Sequence, residues 1–163
     1  MEVDLLFTHI PITEERLKDH TVIVIDVLRA STTISIALKN GAREVIPTVD
    51  VPSAIQLAEN LSRDNLLLCG EREGRIIEGF DLGNSPIEYT ADTVNGKSLI
   101  FCSTNGSITI SKTASAKGTV VAGFINAAAC IDYIIGQNDK FLFICAGNKQ
   151  QFCLEDVVCG GLM

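Results

Sequence analysis

The sequence predicts an α/β fold: three layers, α/β/α, built on a mainly parallel sheet, with the ligand site at the C-terminal strand ends. Three observations carry this. Apolar, β-branched runs of four to six residues alternate with stretches of helical period along the whole chain, the pattern of βαβ units. Three times such a run passes into a turn of small or polar residues and then into a helix, at VIVID-VLRASTTI, LIFC-STNGSITI and LFIC-AGNKQQFCLED. No Pro-rich linker, low-complexity segment or charge block interrupts the alternation, so residues 1–163 read as a single domain.

Taken in order, strands are predicted at 3–8, 21–26, 44–48, 65–70, 97–102, 119–123 and 140–145. Helices are predicted at 31–39, 51–62, 105–115, 127–136 and from 153 onward. The second strand is the strongest, with four consecutive β-branched residues, Val22 to Ile25. Helix starts are marked by Asp50 before VPSAIQLAENL and by Asn126 before AAACIDYII. Ser85-Pro86-Ile87-Glu88 has the order of a capping box, with Ser at the N-cap, Pro next and Glu at the third helical position. Before it runs GEREGRIIEGFDLGNSP, residues 70–86, with four glycines and six charges and no helix of its own. Loops of that length usually serve a function.

Composition narrows the function. A chain that is 47% hydrophobic and 20% charged is a packed globule. Its longest apolar runs fall far short of the roughly 18 residues a membrane span needs. The start, MEVDLLFTHIPITEE, lacks the basic region of a secretory signal. A net charge of −7 disfavours nucleic acid and anionic membranes as partners, so an anionic small substrate needs a local cationic site. The six cysteines lie in apolar segments without a CxxC pair, as expected of reduced core residues in a cytoplasmic protein.

Asp26 ends a buried strand, where an unpaired carboxylate is costly. Either it pairs with Arg29 or caps the next helix, or it is a ligand for a hard divalent cation together with oxygens from Glu71, Glu73 or Asp81. Arg29 stands in the turn beside Ser31, Thr32 and Thr33, where a planar guanidinium suits bidentate phosphate recognition. In CSTNGS, residues 102–107, the Asn-Gly pair supplies a tight turn, or else amides and hydroxyls for an anion. Cys102 is no CxxxxxR nucleophile, because position 108 is Ile. Glu155 and Asp156 open the last helix, where acids favour the dipole or complete a magnesium site. Haloacid-dehalogenase-like phosphatases also place an Asp after an apolar strand, but the second Asp they require two residues on is Leu28 here.

Together VIVIDVLRASTTI, LLCGEREGRIIEGFDLGNSP, STNGS and the CAGN…F-LED ending resemble the 2-phosphosulfolactate phosphatase family, in its order and across nearly the whole chain. The chain departs from the family in having Ser107 where Thr is usual, and in stopping on the C-terminal side before the family does. The resemblance implies a magnesium-dependent hydrolase that converts (R)-2-phospho-3-sulfolactate to 3-sulfolactate and phosphate, a coenzyme M-type step. It implies Asp26, Glu71 and Asp81 around Mg2+, with Arg29, Ser31, Thr32, Ser103, Asn105 and Gly106 around the anions. Arg72 and Arg75 are assigned to the sulfonate, and Asp156 to orienting water or another ligand. The alternatives are a non-catalytic binding domain for small phosphorylated or sulfonated acids, and a dehalogenase-like phosphatase acting on another phosphate ester. The expected partner is the small anionic substrate, and a homo-oligomer is compatible with the sequence.

Overall fold

The structure is a computed structural model that describes residues 2–10, 12–61, 65–137, 139–149 and 151–163. The chain runs β1 (Glu2–Leu6), α1 (Glu14–Lys18), β2 (His20–Ile25), α2 (Ala30–Lys39), β3 (Glu44–Thr48), α3 (Val51–Glu59), β4 (Leu66–Arg72) and β5 (Arg75–Ile76). It continues through a 3₁₀ turn (Pro86–Glu88), α4 (Ala91–Val94), β6 (Ser98–Cys102), α5 (Gly106–Lys112), β7 (Gly118–Ala122) and a second 3₁₀ turn (Phe124–Asn126). It closes with α6 (Ala127–Ile135), β8 (Lys140–Cys145) and α7 (Leu154–Leu162). All seven predicted strands and five predicted helices are present within a few residues of their expected bounds. Ser62, the predicted end of α3, lies outside the described residues.

The α/β class holds, but the strands divide between two four-stranded sheets, ordered β1-β8-β2-β7 and β3-β6-β4-β5. Every pairing is parallel except the short β4–β5 hairpin. Each sheet carries helices on both faces, so β2 is apolar on both sides and Val22 to Ile25 are fully buried. Ile23 and Ile25 face Cys130 and Ile134 of α6 and Cys159 of α7. Val22 and Val24 face the other way, with Leu17 of α1 and Ile110 of α5. In the second sheet Ile100 and Cys102 pack on Ala54 and Ala58 of α3. Leu99 and Phe101 pack on Ala30, Ile34 and Ala37 of α2, which also reaches Val121 of β7 in the first sheet. Helices α2 and α5 are thus shared between the sheets. Burying each large apolar side chain of these layers contributes roughly 1.5–3 kcal/mol.

Local chemistry sets the boundaries. Asp50 caps α3 as expected, its Oδ1 accepting from Ser53 N–H at 2.8 Å. Asn126 does not cap α6. Its side chain turns back, accepting from Gly123 N–H and donating to the Val121 carbonyl, and so closes the preceding 3₁₀ turn. The capping box at Ser85 is also corrected: Pro86–Glu88 is a single 3₁₀ turn without a side-chain cap, and Glu88 Oε2 accepts from Gly83 N–H at 2.7 Å instead. Nor is 70–86 a structureless loop. Its first residues extend β4 into the hairpin, and Leu82 returns to bridge Cys69 beside β4. All six cysteines are free thiols, five of them buried.

Candidate active site

The turn after β2 is built from its own backbone. Ser31 N–H donates to the Asp26 carbonyl at 2.8 Å, and Ser31 Oγ accepts from Asp26 N–H at 2.9 Å while donating to the Val24 carbonyl. Ser31 is therefore a buried lock on the turn, with its hydroxyl spent. Thr32 Oγ1 donates to the Val27 carbonyl, and Thr33 Oγ1 to the Asn84 carbonyl. Asp26 is not paired with Arg29. Its Oδ1 accepts from Ala30 N–H, the first of α2, at 3.2 Å, which bears out the capping role in part. Gly106, at the start of α5, lies over the other oxygen: a Cβ there would stand 2.5 Å from Asp26 Oδ2 and would overlap Ala30. Only glycine lets the two sheets' strand ends approach so closely.

From the second sheet, Glu71 at the end of β4 binds the turn after β6. Its Oε1 accepts from Thr104 N–H at 2.7 Å, and its Oε2 from Gly74 N–H and Thr104 Oγ1. Ser103 is buried and reciprocally bonded with Ser107, each backbone N–H donating to the other's hydroxyl. Ser107, which fills this structural role, uses only a hydroxyl that Thr also has. Asn105 is the N-cap residue of α5, and its Oδ1 accepts from Lys149 N–H across the gap.

Between these ends opens a cleft of ≈ 500 Å³. Asp26, Arg29, Glu71, Glu73, Asn105, Glu155 and Asp156 line it, so seven of the candidate residues come together there. Asp156 ties the floor, accepting from Val27 N–H at 2.8 Å and Gly147 N–H at 3.1 Å. The other expected residues fall elsewhere. Asp81 accepts from Leu68 N–H beside β4. Arg72 turns to the Glu71 and Val49 carbonyls and Cys102 Sγ. Arg75 is exposed on β5 and does not line the cleft, and neither do Ser31, Thr32, Ser103 or Gly106. In a strand, neighbours point to opposite faces, so Glu71 and Arg72 were not both able to face one ligand. Sequence reasoning missed Asn84, Lys149 and Cys153, which also line the cleft. Only Asn84, within the long polar loop, carried any signal.

Like charges govern the electrostatics. Burial raises the Asp26 carboxyl to about 7, and the nearby Asp156, Glu71 and Glu155 add to the rise against the Ala30 N–H. Burial also raises Asp156, opposed by its two N–H donors. The Cys153 thiol is pushed up to about 12 by desolvation and by its bond to Glu155, which favours the neutral thiol over the thiolate. The positive groups on the lining are Arg29 and Lys149. Anionic oxygens crowded together suit a hard cation. Among the described residues, however, no three His, Cys, Asp or Glu side chains are gathered to hold one unaided. Magnesium fits such a site because it ordinarily takes one or two carboxylates and keeps water and substrate oxygens as its other ligands.

A cleft at the carboxyl ends of parallel strands, with helix starts around it, defines an α/β protein of the class that binds its ligands at the strand ends. The model of the family described as 2-phosphosulpholactate phosphatase matches residues 7–163. A "Probable 2-phosphosulfolactate phosphatase" of Caldanaerobacter subterraneus subsp. tengcongensis is 44% identical over 154 residues, covering 94% of this chain and 64% of the relative. Proteins of the same name from Clostridium beijerinckii and Clostridium tetani are 38% and 37% identical over 161 residues, covering 99% of this chain and 68% and 69% of their own. The chain belongs to the 2-phosphosulfolactate phosphatase family, and it spans about two thirds of the length of these relatives.

Proposed function

We propose that this chain hydrolyses (R)-2-phospho-3-sulfolactate to 3-sulfolactate and phosphate, with Mg2+ as cofactor, as a cytoplasmic enzyme in a coenzyme M-type route. The family and the relatives' names support the reaction class, a phosphoric monoester hydrolysis. Among the described residues no helix is long and apolar enough to cross a membrane. The observation that carries the reading is the cleft, whose lining joins buried carboxylates from both sheets with Arg29.

Asp26 would hold the ion with Glu155 beside it, and the bound ion would neutralise charge on the phosphate oxygens. Arg29, whose guanidinium makes one hydrogen bond to a described residue, a long 3.5 Å contact to the Gly74 carbonyl, is free to grip phosphate with its planar fork. Lys149, on the far rim, offers a second positive charge to the acid groups of the substrate. Asp156 and Glu71 hold the turns that carry these groups, and the buried floor limits water to the open side. In the overall step water adds to phosphorus, the ester P–O bond breaks, and the lactate oxygen leaves as a hydroxyl with a proton from solvent.

Phosphate release from (R)-2-phospho-3-sulfolactate, followed with added Mg2+ and with EDTA, tests this. Turnover that EDTA abolishes and Mg2+ restores is expected. Full turnover in EDTA defeats the metal assignment, and binding of the substrate without any release supports the non-catalytic binding domain instead.

A further inference from the structure

Among the described residues the side chain of Asn84 makes no hydrogen bond, although the backbone around it is anchored. Gly70 N–H donates to the Leu82 carbonyl at 2.9 Å, and buried Tyr89 donates its Oη to the Gly83 carbonyl at 2.6 Å. Gly83 N–H is bound by Glu88, and the Asn84 carbonyl accepts from Thr33 Oγ1 at 3.3 Å. These anchors come from β4, α2 and the 3₁₀ turn, and they fix the backbone of residues 82–84 on both sides. Asn84 itself is only 6% exposed and lines the cleft with Asp26 and Arg29. Yet its Oδ1 is closed off from solvent without a hydrogen-bond partner among the described residues.

A buried amide oxygen without a donor is a net cost, and an apolar residue of the same shape avoids it. A phosphate oxygen cannot donate to Oδ1, so the cost is worth keeping only if the other end of the amide, Nδ2, which makes no hydrogen bond to a described residue, serves something that enters the cleft. An amide is neutral, so its N–H groups can donate to an anionic oxygen without forming an ion pair with the surrounding carboxylates. From the anchored backbone, the burial and the unpartnered amide, we infer that Asn84 is a substrate-binding residue whose Nδ2 donates to a phosphate oxygen of the phosphorylated substrate. The inference rests on the reading of the cleft as a phosphatase site. It also gives residues 70–86 a purpose, since the anchored loop places one amide on the lining that Arg29 shares.

The test uses Asn84→Leu, which keeps the size and removes the amide, and Asn84→Ala in case leucine does not fit. Two readouts are taken on the full chain: kcat/KM for phosphosulfolactate, and the melting temperature with and without inorganic phosphate. A melting temperature kept or raised without phosphate, at least a tenfold fall in kcat/KM, and a smaller phosphate-induced shift than wild type are expected. A purely structural amide gives the opposite pattern, with lower stability and retained kcat/KM, and overturns the inference. The phosphate shift does not need turnover. If wild type fails to hydrolyse phosphosulfolactate but its phosphate shift is lost in the variants, the substrate reading fails and Asn84 stands. Equal shifts in wild type and variants, or no shift in wild type, overturn the role of Asn84 whatever the turnover.

Discussion

Asp26 is held in a place that a carboxylate leaves readily for water. It is 8% exposed, has one N–H donor, and faces three other acids, which is why its carboxyl rises to about 7. A raised acid is destabilising in its charged form. The stability linked to its protonation is complete below the ordinary carboxylate value, near pH 4, and is lost as pH rises through about 7. Asp26→Asn has the same shape and no charge. In EDTA it is expected to melt higher than wild type at pH 8, by on the order of 2–4 kcal/mol of stability, and to converge with it near pH 4. Thermal melts across pH check this, and a variant that is less stable at pH 8 shows that the carboxylate is compensated in the fold. The residue was legible as a candidate, since a carboxylate ending a run of β-branched residues stands out. Its partners were not: Ser31, the first of three consecutive hydroxyl residues, bonds inward to Asp26 N–H and Val24, and nothing in its spacing separates that role from facing a ligand.

At the scale of elements, the strand-turn-helix units were the most legible part, because four or five β-branched or apolar residues followed by small polar ones leave few alternatives. Short elements escaped. Helix α1 has five residues and α4 has four, too few to show a period. Asp81 was misplaced because loop residues find their partners through the fold, and it met β4 at Leu68; Arg72, the last residue of β4, was misplaced because it alternates with Glu71. The helix start at Gly106 gives a sharp expectation. A methyl group at this position meets Asp26 Oδ2 and Ala30 Cβ, both held by backbone. Gly106→Ala should cost about 1–3 kcal/mol of stability, as overpacking does, and depress turnover by pushing α5 from α2. Urea unfolding with parallel kinetics reads both, and an unchanged unfolding midpoint means the two helix starts can separate freely.

Across the whole molecule, the sequence showed parallel strands but not that they form two sheets, because pairing between distant strands leaves no local trace. That division matters to the site. Asp26 and Asp156 come with the first sheet, Glu71 and Asn105 with the second, and the shared helices α2 and α5 bring them within one cleft. The same arrangement puts Arg29 where an acidic protein of net charge −7 can still receive an anion. If the phosphate ester is bound and hydrolysed in this cleft, steady-state turnover of phosphosulfolactate by Arg29→Lys, with a thermal melt as control, will show it. Lysine keeps the charge but not the fork. Because Arg29 pairs with no described acid, the melting temperature should stay within a degree or two while kcat/KM falls by about two orders of magnitude or more. Near-wild-type turnover by the lysine variant contradicts the account.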